Sequence, residues 1–222
     1  MCFSATASFA TAAATTVVGV GAISQVTNWR SAPLASIPIL FAFQQVAEGA
    51  IWVLLAGGAE DVNATRLAHG FLLFALVMWP VFMPIAVLLV ETDARRRRIL
   101  RVMAFFAPML SAYLYMTVVV NSSSVAILNH SISYAGTIDY LSWKEIPYLL
   151  ATCGPLFLSS HRMVRLFGTL VLIAFAVSIF SYGKTLVSVW CFFAAANSTL
   201  LYLHFRREAV ETGNKGSAEQ VT

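Results

Sequence analysis

Apolar residues come in long runs along this chain, and short polar stretches part them. A bilayer-spanning helix needs about 20 apolar residues. On that rule the pattern predicts seven spans, at residues 5–25, 34–56, 67–90, 99–120, 146–160, 166–182 and 185–205. The first is rich in Ala, Thr and Gly, which lets it approach its neighbours closely. The third holds Pro80 and Pro84, which predict a kink. The fifth is short and carries Pro147 and Pro155. The expected fold is all-α: a polytopic integral membrane protein, with one helical bundle over 1–205, an outer loop at 121–145 and a flexible cytoplasmic tail over 206–222.

Composition points the same way. Of 222 residues, 59% are hydrophobic and 11% charged, with a mean hydropathy of +0.78; soluble domains carry about 25% charged residues. The solvent for most of the chain is therefore lipid. The net charge of +4 does not point to nucleic acid, because the basic residues stand at the ends of apolar runs. There they orient helices. Arg95–Arg98 and Arg101, then Arg162 and Arg165, Arg206 and Arg207, and Arg30 fall on one side of a seven-span chain. The other side holds only Arg66, Lys144 and Lys184. Excess Lys and Arg mark the cytoplasmic side, so the expectation is N-terminus outside and C-terminus inside. No cleavable leader is expected at the start, which lacks a basic n-region. The long outer loop is rich in aromatic and aliphatic residues, such as Ile132, Tyr134 and Trp143. It is expected to fold back over the outer mouth of the bundle.

The second apolar run is interrupted by Gln44, Gln45 and Glu48. Gln44, Glu48 and Trp52 are spaced i, i+4, i+8, and Gln45 lies three before Glu48, so on a helix they share one stripe. A carboxylate in hydrocarbon costs about 2.5–3.5 kcal/mol on insertion scales, so it must face protein or water. With the orientation above, Cys2, His69 and His130 fall on the same outer half, as do Tyr113 and Tyr115. Cys, His and Glu are the side chains that bind zinc or iron-like metals and that do acid–base and nucleophilic work. Were Met1 removed, Cys2 would carry a free amine beside its thiol. The three cysteines, Cys2, Cys153 and Cys191, form no CxxC pair.

The opening Met-Cys-Phe-Ser-Ala-Thr-Ala-Ser-Phe resembles the signature of the DUF6629 family of small bacterial membrane proteins, whose function is unknown. Gln44-Gln45-x-x-Glu48-Gly49-x-x-Trp52 and the His130-Ser131-Ile132-x-Tyr134 piece are similar to that family's segments. The resemblance implies a multi-span fold in the bacterial inner membrane and no activity. Microbial rhodopsins need a lysine deep in the last span, and only Lys184 stands near it, at its mouth. Ceramidase-like hydrolases place paired histidines on the last span, which here has only His204.

Three readings follow. In the first, an outward-facing polar pocket makes a membrane enzyme or metal-binding protein. Cys2, Glu48, His69 and His130 would ligate a divalent transition metal, Glu48 and Cys2 would do the chemistry, and Gln44, Gln45, Trp52, Tyr113 and Tyr115 would support them. In the second, Glu48 is the titrating group of a transporter or channel for a small solute or for protons. In the third, the chain is a non-catalytic membrane partner whose buried polar groups specify helix packing. The lipid bilayer is the one partner common to all three.

Overall fold

A computed structural model of the chain describes residues 4–57, 62–120, 124–128, 130–135 and 145–219. Helix α1 (Ala5–Ser24) is opened by Ser4, whose hydroxyl accepts from the Ala7 amide at 3.2 Å. Its threonines need no outside partner: the Thr15 and Thr16 hydroxyls donate back to carbonyls of their own helix. Helix α2 (Ala32–Ala56) starts with a proline in its first turn and follows a 3₁₀ turn at Trp29–Ser31. The α1–α2 approach is close at Gly19. A Cβ there would lie 2.9 Å from the backbone nitrogen of Ile39, which is the use foreseen for the small residues of the first span.

The third element runs from Val62 to Val90 as α3 (Val62–Leu72), a π-helical segment (Leu73–Met78) and α4 (Trp79–Val90). The sequence predicts a kink at Pro80 and Pro84; the irregularity instead lies in the turn before Pro80. Proline removes the N–H that residue 76 would receive and its ring crowds that carbonyl, and a widened turn relieves both. The loosened carbonyls are satisfied from other helices. The Tyr148 hydroxyl donates to Ala75 at 2.6 Å, and the Ser111 hydroxyl donates to Val77 at 2.7 Å.

Helix α5 (Ala94–Val120) is followed by a hairpin of β1 (Ser124–Leu128) and β2 (Ser131–Ala135), antiparallel with Ile127 opposite Ile132. Ser131, Ile132, Ser133 and Tyr134 are buried, and β2 packs on α9 (Leu186–Asn197). The described part of the loop thus forms a strand pair, absent from the sequence analysis, whose second strand is buried. Helices α6 (Glu145–Thr152) and α7 (Gly154–Leu158) are short. Helix α8 (Arg162–Tyr182) ends at Gly183, and α9 packs back on it before α10 (Thr199–Glu219). The backbone of α10 runs helically well past Phe205, through the segment expected to be a flexible tail. Helix α10 packs against α1, α2 and α8, which closes the bundle, while α2 touches α1, α3, α9 and α10 and so lies at its centre.

Among the described residues, five helical stretches are long and apolar enough to cross a membrane: Ala5–Ser24, Trp29–Ala56, Val62–Val90, Ala94–Val120 and Arg162–Glu211. The outer surface of the bundle is apolar, with Val17, Phe43, Phe105, Met109 and Phe180 exposed. A soluble protein rarely leaves so much apolar side chain in water.

Candidate functional site

The polar stripe of α2 faces inward. Gln44, Gln45 and Glu48 are all buried, Glu48 to 1% exposure. Their partners come from two other elements. The Ser188 hydroxyl, two residues into α9, donates to Glu48 Oε1. Gln45 Nε2 donates to Glu48 Oε2 at 3.0 Å. One turn away on α2, Gln44 joins α4 to α9: it accepts from Trp79 Nε1 at 3.1 Å and donates to Cys191 Sγ at 3.1 Å. Trp79 is held by stacking on Phe41, with ring centroids 4.4 Å apart. The hairpin reaches this centre as well. Tyr134 stacks on Phe71, with ring centroids 4.9 Å apart.

The donors to Glu48 are neutral, and among the described residues no Lys, Arg or His forms an ion pair with it. Next to it, Gln45 Oε1 is buried and has no hydrogen-bond partner. An uncompensated buried charge is costly. The arrangement can therefore hold a carboxyl group whose charge is offset only by a proton or by a cation brought from outside.

The other residues singled out from the sequence are spread more widely. His69, half-buried on α3, is bonded through Nδ1 to the Thr65 carbonyl of its own helix at 2.9 Å. His130 sits exposed in the hairpin turn with φ 60°. Trp52 is partly buried and packs on the core. Tyr113 and Tyr115 are both exposed, at 47% and 43%, on the outer surface of α5. Cys2 lies outside the described residues. Glu48 does not combine with His69 and His130 into a three-residue metal-type cluster.

At the arginine-rich end of the bundle stands a group that the sequence analysis did not single out. His161, at the start of α8, and His204 and Glu208, one turn apart on α10, bring their ligand atoms within 4.8 Å of one another, an arrangement that could hold a metal ion. Beside them, Glu91 is buried at the end of α4 and clasps the turn between α7 and α8. Its Oε1 accepts from the Thr92 and Asp93 amides at 2.9 Å each and from the Ser160 hydroxyl at 2.6 Å; Oε2 accepts from the Ser160 amide at 2.6 Å. The neighbouring arginines cap helix ends. Arg97 donates to the Leu88 and Glu91 carbonyls, and Arg165 donates to those of Ser159 and Ser160.

Fold and site together define a mostly helical chain with, among the described residues, five helical stretches apolar enough for a membrane and a buried carboxylate at its centre. The sequence model of DUF6629, a family of unknown function, matches residues 1–215, and the chain belongs to that family. No curated protein and no solved structure matches it.

Proposed function

We propose that this protein is a seven-span integral membrane protein of the bacterial inner membrane in which Glu48 takes up and releases a proton, as part of moving protons or a small solute across the bilayer. The observation that carries this reading is the set of contacts around Glu48: full burial, two neutral donors, and no cation paired with it among the described residues. Carboxylates placed in this way inside membrane bundles serve proton relays and ion pathways. The hairpin would be the outer cover of the pocket, since β2 lies buried on α9, the helix that carries Ser188.

Seven spans arise when the 50-residue stretch Arg162–Glu211 is divided at its 3₁₀ turn, Gly183–Thr185, and the short α6–α7 pair is counted as a crossing. That pair ends just before Ser160, whose hydroxyl bonds Glu91 at the end of α4. Arg30, Arg95–Arg98, Arg162, Arg165, Arg206 and Arg207 then share the cytoplasmic face. A C-terminal fluorescent-protein fusion is expected to glow and a C-terminal alkaline phosphatase fusion to be inactive; the reverse pair of results would invert the orientation.

Infrared spectroscopy of the purified protein tests the proton reading without knowledge of a substrate. A carboxylic acid and a carboxylate absorb in different regions, so a titrating Glu48 gives an acid carbonyl band that fades as pH rises and is missing in Glu48→Gln. A wild-type spectrum in which no Glu48-dependent band changes over the pH range of the folded protein would rule the reading out.

A further inference from the structure

We propose that His161, His204 and Glu208 form a binding site for a divalent transition metal ion of the zinc or iron(II) class, at the arginine-rich end of the bundle and independent of Glu48. The distances come first. Glu208 Oε1 lies 3.5 Å from His161 Nδ1 and 3.5 Å from His204 Nε2. A tetrahedral ion with bonds of about 2.0–2.1 Å spaces its ligand atoms roughly 3.3–3.4 Å apart. The carboxylate oxygen already stands at nearly that spacing from both imidazoles, and the whole group fits within 4.8 Å.

The supports of each ligand point the same way. His161 Nε2 faces the Val90 carbonyl at 3.4 Å, a group that can only accept. That contact calls for a proton on Nε2, and in the neutral ring this leaves the Nδ1 lone pair toward Glu208 and any ion beside it. The histidine is placed by the turn before it, where Glu91 grips Ser160 and Arg165 grips the Ser159 and Ser160 carbonyls. His204 and Glu208 are i, i+4 on α10 and so lie on one face of that helix. The two imidazoles approach with ring centroids 4.8 Å apart and planes at 61°. Two ligands from one helix and a third from a clasped turn make a site whose shape does not depend on the ion.

The site also has access. The three residues line a cleft of about 410 Å³ together with Asn28, Arg30, Ser31, Glu91 and Arg97, among others. His204 is 7% exposed, whereas the Glu208 side chain is 44% exposed, so the cluster reaches from the core to the cleft. Arg97 is occupied with helix-end carbonyls, and the Glu91 and Glu208 carboxylates balance Arg30 and Arg97 around the ion. Two histidines and one carboxylate with an open position suit zinc with a water ligand or non-haem iron(II).

The test uses the full-length protein, purified in detergent through a tag free of histidine and without chelator, then titrated with Zn²⁺ and, as a coloured stand-in, with Co²⁺. One equivalent of Zn²⁺ is expected to bind, and Co²⁺ is expected to give the visible absorption of a low-coordinate site. His204→Ala and Glu208→Gln are each expected to weaken Zn²⁺ binding by at least the roughly 10- to 100-fold that loss of a mere supporting contact costs. Glu48→Gln is expected to leave it unchanged. Glu208→Gln alters a half-exposed side chain, so it keeps the test open should His204→Ala fail to fold. Zn²⁺ binding that is unaltered in Glu208→Gln and in every folded histidine variant, or no specific binding to the wild type, would overturn the site and leave Glu208 as an ordinary ion-pair partner of the two imidazoles.

Discussion

Glu48→Leu is expected to destabilise the folded bundle by about 2–6 kcal/mol, and Glu48→Gln by much less. Leucine fills comparable space but accepts no hydrogen bond. The Ser188 hydroxyl and the Gln45 amide would both lose their acceptor in a site from which water is excluded. Each buried donor left unmade costs about 1–3 kcal/mol. Glutamine keeps one carbonyl oxygen for Ser188. Its new amide can donate to Gln45 Oε1, which now has no hydrogen-bond partner, once the Gln45 amide turns over. The turned Gln45 amide must then do without its present acceptor, so the exchange is near balance. Unfolding in detergent, followed by circular dichroism over a denaturant series, measures both variants. Equal stability of Glu48→Leu and the wild type would mean that the network around Glu48 does not hold α2 to α9. The pair of variants also separates structure from function: Glu48→Gln is folded and unable to titrate.

The parts of this centre that lie on α2 were legible because they break a rule. Two amides and a carboxylate in an apolar run must be buried against protein, and helical spacing put them on one face. Their partners break no rule. Ser188, Cys191 and Trp79 are ordinary in apolar segments, and they meet α2 only through packing between residues far apart in the chain. The bounds of the first four apolar helical stretches were also close to legible, since they follow from run length. Positive-inside counting sets which side of the bilayer a loop is expected on but says nothing about rotation around the helix axis. Tyr113 and Tyr115 were expected to support the pocket, yet both are exposed on the surface of α5. His161 and His204 were passed over because each lies near the end of a separate run. The signal was present in His204 and Glu208, i, i+4 across the point where the last span was ended at Phe205. Continuing that helix past its apolar part exposes the pair.

The second large effect is expected at Glu91. Glu91→Ala removes the acceptor of four hydrogen bonds that tie the end of α4 to the Thr92–Asp93 turn before α5 and to Ser160 before α8. Hydrogen bonds to a charged group contribute about 1.5–3 kcal/mol each and are not additive, so a loss of about 3 kcal/mol or more is expected. Glu91→Gln retains the oxygen that serves Thr92, Asp93 and the Ser160 hydroxyl, but it sets an NH₂ against the Ser160 amide and restores only part. The contribution depends on pH in a definite direction. Burial works against ionisation of Glu91, but the Ser160 hydroxyl and the Asp93, Ser160 and Thr92 amides outweigh it and hold the carboxyl below its ordinary value of 4.5. A group whose folded pKa is lowered binds its proton more weakly in the folded state than in the unfolded chain. The stability it contributes is therefore fully present above the unfolded value, near 4.5, and is lost as pH falls through the lower folded value. Melting temperatures of the wild type and Glu91→Gln should differ most at neutral pH and converge below the ordinary carboxyl range. The same clasp positions His161, so Glu91→Gln should also weaken Zn²⁺ binding at neutral pH, by less than Glu208→Gln does. A gap in melting temperature that stays constant through acid pH would show that Glu91 acts through shape alone, and the carboxylate would then have no part in closing the arginine-rich end of the bundle.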